Sequence, residues 1–194
     1  MLLNISRYLS YYLLKKEIIE DEKVDVIIYG LQLILSTISS AVTILLLSSV
    51  INIAYGIIFL LFFMPIRFCA GGYHAKAFNK CFIYTNCSFI ITILITTFIY
   101  YYILPIYLLF PLTLAGIVYL SYKAPCKNLN NLLSDIYCKK NNFNSRIILM
   151  VYGLGIIITY QINLFVFLLE LNTLFLVSIL FIIGNLENKK SNTF

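Results

Sequence analysis

The sequence predicts an all-α, polytopic membrane protein with about six transmembrane helices in three hairpins and two interfacial amphipathic helices. Three observations predict it. The 194 residues are 61% hydrophobic and only 11% charged, against about 25% charged in soluble domains, and the mean hydropathy is +0.93. The charges sit in short segments between long apolar runs, which leaves no room for a separate soluble domain. All 14 Lys and Arg residues then fall on one side of a six-span arrangement. Residues 1–194 are accordingly read as a single integral membrane domain.

Residues 1–25 are expected to hold an interfacial helix. Leu2, Ile5, Leu9, Tyr12 and Leu13 recur at helical steps, with Asn4, Arg7, Lys16 and Glu20 elsewhere. Lys15, Lys16, Glu17, Glu20, Asp21 and Glu22 occupy positions where a secretory leader would place an apolar core, so no cleavable leader is expected. Residues 26–66 form a charge-free run of 41 positions, while one span needs about 20. Two helices with a turn near Asn52 follow. The same reasoning makes 81–122, a charge-free run of 42 residues, spans three and four with a turn at Pro105. Residues 147–186 carry only Glu170 and become spans five and six, with Glu170 at a solvated polar turn between them.

The polar segment 123–146 has its own periodicity. Leu129, Leu132, Leu133, Ile136 and Tyr137 share one helical face opposite Asn128, Asn130, Asn131 and Asp135, and Pro125 suits a helix start. A second interfacial helix is expected there, and 187–194 is a short tail. Lys and Arg number four in 1–25, three in 67–80, five in 123–146 and two in 187–194, with none at the three turns. By the positive-inside rule the termini, the 67–81 loop and the basic segment are cytoplasmic.

Chemistry is concentrated in the window 67–81. It holds Arg67, Lys76 and Lys80, the pair Gly71-Gly72, the chain's only histidine, His74, and the cysteines Cys69 and Cys81. A thiol becomes a good nucleophile beside a base, and His74 is the one imidazole present. Cys81, at the membrane border, and Cys69, nearer the glycines, are both thiol candidates; Cys87, Cys126 and Cys138 are read as structural. Seven residues of unbroken helix would separate His74 from Cys81 by about 10 Å. The pair therefore needs irregular backbone, a fold back at Gly71-Gly72, or completion across a dimer. The glycine amides are also suited to a developing oxyanion. Five cysteines, an odd number without ligand spacing, suggest neither a disulfide framework nor a metal.

Arg67, Gly71-Gly72, His74 and Cys81 together resemble the signature of the accessory gene regulator B (AgrB) family, membrane cysteine endopeptidases that process precursors of cyclic quorum-sensing peptides. The six-span layout, the length and the Ala124-Pro125 opening of the basic segment are similar too. The resemblance implies a bacterial, multi-pass cell-membrane enzyme with Cys81 as nucleophile and His74 as general base. It implies Arg67 as a residue that holds the loop or binds a substrate carboxylate, and Gly71 and Gly72 as shapers of the turn. Asn79 and Asn86 are candidates to orient His74. The implied substrate is an AgrD-like propeptide with an acidic tail, which the net charge of +6 suits, and the implied product is a thiolactone or lactone ring.

Lys123, Lys127, Lys139, Lys140 and Arg146 are read first as lipid-headgroup contacts, with substrate binding a second role for Lys123 and Lys127. No cofactor, metal or nucleic-acid partner is expected. A homodimer agrees with the family analogy and the apolar span surfaces, though nothing in the sequence requires it. Two other classes remain: a small peptide transporter, against which stands the lack of ionisable residues within the expected spans, and a lipid-modifying enzyme, for which no acidic metal cluster exists.

Overall fold

The computed structural model describes residues 2–16, 24–70, 78–102, 106–124 and 135–191. These form seven helices, with no strand among the described residues: α1 (Leu2–Lys15), α2 (Val24–Ser49), α3 (Ile53–Ala70), α4 (Phe78–Tyr102), α5 (Ile106–Lys123), α6 (Asp135–Ile162) and α7 (Leu164–Ser191). Four contain stretches long and apolar enough to cross a membrane: Val24–Ser49, Cys81–Tyr102, Asn141–Ile162 and Leu164–Leu186. The apolar helices Ile53–Cys69 and Leu109–Lys123 are shorter.

Local chemistry sets the turns. After α2, the amides of Ile51 and Asn52 both donate to the Ser48 carbonyl, at 3.0 and 2.8 Å. The Asn52 Oδ1 then accepts from the Ala54 amide at 3.0 Å and starts α3, the usual N-terminal role of asparagine. Asn163 does the same between α6 and α7. Its amide donates to Thr159 O at 2.8 Å, and its Oδ1 accepts from the amides of Phe165 and Val166 at 3.0 and 3.2 Å. The turn expected at Glu170 is therefore at Asn163. Glu170 lies inside α7, 4% exposed, and its Oε2 accepts the Thr159 hydroxyl at 2.7 Å. The capping oxygen of Asn163 satisfies two of the amides that a helix start leaves unpaired. A carboxyl that finds a hydroxyl partner has no need to mark a turn.

The basic segment departs from expectation as well. Residues 135–146 are not part of a separate interfacial helix but the start of α6, which continues to Ile162. No proline or glycine interrupts 135–152, so one helix carries the polar stretch directly into the apolar one. Residues 125–134, with Pro125, Cys126, Lys127 and the leucines of that stretch, lie outside the described residues, as do Pro105 and the acidic cluster 17–22.

The core where α3 and α7 pack is apolar, with Phe59, Phe63, Leu168 and Leu174 among its buried residues, whereas α2 and α4 reverse the polarity of a soluble helix. The buried positions of α2 include Gln32, Ser36, Ser40 and Ser48. Those of α4 include Thr85, Asn86, Ser88, Thr92 and Thr96, while Ile83, Ile90, Leu94 and Phe98 face outward. Small and polar residues inside with an apolar exterior are the pattern of helices packed in lipid. On α1, likewise, Ser6 and Ser10 are buried while Tyr8, Tyr11 and Tyr12 are exposed, and the helix lies along α2.

At the centre, α7 packs against α3, α4, α5 and α6 and is buried without interruption from Phe167 to Leu174. Glycine allows the closest approaches. A Cβ on Gly56 would collide with the Ser48 side chain, and one on Gly116 would stand 2.6 Å from Ser178 Oγ. Phe59 ties α3 to α4 by an edge contact with Phe89 at 5.2 Å and stacks on Phe63 at 5.0 Å.

Within α3, Pro65 has no amide hydrogen for the Leu61 carbonyl four residues earlier. The Tyr152 hydroxyl of α6 donates to that carbonyl instead, with its ring stacked on Phe62 at 4.3 Å. The bundle's two ends are distinct. Phe165 meets Tyr55 and Tyr100 at 4.7 and 5.5 Å, which gathers the starts of α3 and α7 with the end of α4. The last turn of α3 and the first of α4 meet at the other end.

Candidate functional site

Arg67 lies in the last turn of α3 and Cys81 in the first turn of α4. Although 14 positions apart, they touch: the Arg67 Nη2 donates to Cys81 Sγ at 3.4 Å. The Nη1 of the same guanidinium donates to Thr85 Oγ1 at 3.3 Å, and its carbon lies 5.2 Å from the centre of the Phe63 ring. Thr85 and Phe63 are both buried, at 3% and 0% exposure. The Thr85 hydroxyl donates its own proton to the Cys81 carbonyl at 2.9 Å. It is therefore an acceptor toward Arg67, as a hydroxyl with one proton must be.

The origin of this arrangement is local. Residues 63 and 67 are one turn apart on α3 and residues 81 and 85 one turn apart on α4, so each pair shares a face. The two faces oppose each other where the helices meet. Half-buried Cys81 also lies near the amino end of α4, where unpaired amides and the helix dipole favour an anion. A sulfur beside a guanidinium at a helix start is in the surroundings that reactive thiols occupy.

The other expected site residues divide clearly. Gly71, Gly72 and His74 lie outside the described residues, as does Lys127. Cys69 is half-buried on α3 and Cys87 is exposed on α4. Lys123 ends α5 and is exposed; close by, Arg146 Nε of α6 donates to the Ser121 carbonyl of α5 at 3.2 Å. Asn86 donates to Phe82 O at 2.8 Å, which fixes its amide so that Oδ1, buried, has no partner among the described residues. No group of three metal-ligating side chains occurs among the described residues.

The sequence does not single out Thr85, because a threonine inside a charge-free run looks like ordinary span composition. Its position four residues after Cys81 was the available signal.

The fold and this site define a helical membrane protein with a cation-paired cysteine at one end of its bundle. Residues 6–186 match the profile of accessory gene regulator B, and the chain belongs to that family. Membership carries a role in quorum-sensing gene regulation, a processing-peptidase class and an AgrD-like propeptide as substrate in a membrane setting. No curated protein and no solved structure matches the chain.

Proposed function

We propose that the chain is a membrane cysteine endopeptidase that cleaves the C-terminal part of an AgrD-like propeptide and promotes its cyclisation. The observation that carries this reading is the Arg67 guanidinium on Cys81 Sγ at 3.4 Å. A structural cysteine at a helix end has no need of a cation, whereas a nucleophile is strengthened by one.

In this reading His74 takes the Cys81 proton. The thiolate attacks a backbone carbonyl carbon of the precursor, and the C=O electron pair moves to oxygen. Arg67, within reach of the sulfur, stabilises the thiolate and then the oxyanion that forms on the adjoining carbon. Collapse breaks the C–N bond; His74 returns the proton to the departing amine, and Cys81 retains the acyl group as a thioester. A thiol or hydroxyl of the retained peptide then attacks that thioester, closes the ring and restores the Cys81 thiol. A water-poor pocket favours this closure over hydrolysis.

Six spans, with the two shorter apolar helices crossing as well, and cytoplasmic termini place the site on the cytoplasmic face, where a basic surface meets an acidic tail. Lys123 and Lys127 belong to that surface, and Gly71-Gly72 shape the turn that carries His74.

A second reading, a small membrane peptide transporter without protease activity, is favoured by Glu170. Its carboxyl lies within a span, 4% exposed, and intramembrane carboxyls often mark transport paths.

The deciding experiment incubates the lipid-reconstituted protein with the precursor and locates the trapped acyl adduct by mass spectrometry. An adduct on Cys81 that is absent in Cys81→Ala and His74→Ala is expected. An adduct on Cys69 would move the nucleophile, and neither adduct nor cleavage by folded protein would leave the transporter reading.

A further inference from the structure

We infer that Thr85 is a positioning residue that holds the Arg67 guanidinium against the Cys81 sulfur, an inference that rests on the peptidase reading for its consequence in catalysis. A long arginine side chain has many rotamers, and ordering it carries an entropic cost. Two features among the described residues restrict it here. Phe63 supplies a flat surface 5.2 Å below the guanidinium, and Thr85 Oγ1 accepts from Nη1 at 3.3 Å. The second contact fixes rotation in the guanidinium plane, which leaves Nη2 aimed at Sγ, 3.4 Å away.

Thr85 can do this because its hydroxyl is itself fixed. Its proton is committed to the Cys81 carbonyl at 2.9 Å, so a lone pair faces Arg67. The residue that bears the sulfur thus also anchors, through its own carbonyl, the hydroxyl that orients the cation. With Thr85 at 3% exposure, water is poorly placed to replace that acceptor. Thr85 does not touch the reacting atoms; it acts through Arg67.

The test compares Thr85→Val, which keeps the branched shape and removes the hydroxyl, with Thr85→Ser, which keeps the hydroxyl. The first readout is the rate at which iodoacetamide alkylates Cys81 in lipid-reconstituted protein, read from the Cys81-containing peptide so that other cysteines do not interfere. Thr85→Val is expected to slow it about tenfold, the effect of one ordinary hydrogen bond, and Thr85→Ser to keep it near the wild-type rate. The second readout is precursor cleavage, where kcat should fall by a similar factor in Thr85→Val with KM unchanged and recover in Thr85→Ser. Should Thr85→Val fail to assemble, Thr85→Ala carries the same expectation. Hydroxyl-free variants that are folded and alkylated at the wild-type rate overturn the inference. Loss of reactivity in Thr85→Ser as well as Thr85→Val also overturns it, because shape rather than the hydroxyl would then matter. Failure of the wild type to cleave the precursor would sink the peptidase reading while leaving the alkylation result standing.

Discussion

At the scale of single residues, the site depends on the shape of a guanidinium. Arg67 reaches Thr85 Oγ1 with one terminal nitrogen and Cys81 Sγ with the other, its central carbon over the Phe63 ring at 5.2 Å. A lysine ammonium is a point charge and cannot repeat that planar fork. Arg67→Lys is therefore expected to lower kcat for precursor cleavage by about ten- to a hundredfold, the range for a lost charge-assisted hydrogen bond. The helical content and unfolding temperature in detergent should change little. Wild-type cleavage by the Lys variant would show that positive charge alone suffices. Arg67 and Cys81 were legible in the sequence because charge-free runs isolate the window that holds them. Their contact was not, since a separation of 14 positions across a polar stretch of sequence has no periodicity to read.

Between residues and the whole bundle stands the helix, and α3 has a defect that another helix repairs. Pro65 leaves the Leu61 carbonyl without its intrahelical donor, and Tyr152 of α6 supplies a hydroxyl. Pro65 precedes Arg67 by half a turn, so the defect that Tyr152 repairs lies directly before the turn that carries the guanidinium. Tyr152→Phe keeps the ring stacked on Phe62 and removes only the donor. It is expected to destabilise the bundle by about 1–3 kcal/mol, the cost of a carbonyl left unpaired on an apolar, outward-facing helix surface, read from denaturant unfolding in detergent, and to reduce cleavage further than the stability loss explains. Unchanged stability would mean that the carbonyl finds another donor. At this scale helix existence was legible from charge-free length, whereas helix ends were not always so. Asn52 marks a turn in the sequence as in the structure, whereas the turn that the charge of Glu170 suggests falls at Asn163. The two asparagines make the same side-chain bonds to the amides that follow them, so capping chemistry was the better guide.

Across the whole molecule, the hairpins sort chemistry to opposite ends. Arg67 and Cys81 sit where α3 and α4 meet, while Glu170 follows the Asn163 turn at the other end by seven residues, about 10 Å of helix. Buried hydroxyls and amides on α4 lie between them, and Thr96 accepts from Asn172 of α7 at 2.9 Å. Composition made the membrane class legible; it could not show that an acid would lie inside the bundle, because a lone Glu in an apolar run suits a turn equally well. Glu170 now separates the two functional readings. Gln keeps an oxygen for the Thr159 hydroxyl, which Glu170 accepts at 2.7 Å, but has no exchangeable acid proton. For a peptidase whose chemistry lies at the other end, Glu170→Gln should assemble normally and cleave the precursor within about twofold of wild type, a difference below 0.5 kcal/mol in barrier. For a transporter that moves peptide along the bundle interior, loss of the carboxyl should abolish passage into vesicles. Normal cleavage with unimpaired passage would make Glu170 a packing residue. Lost cleavage in a folded variant would instead couple the two ends of the bundle and place the acid in the path of the reaction.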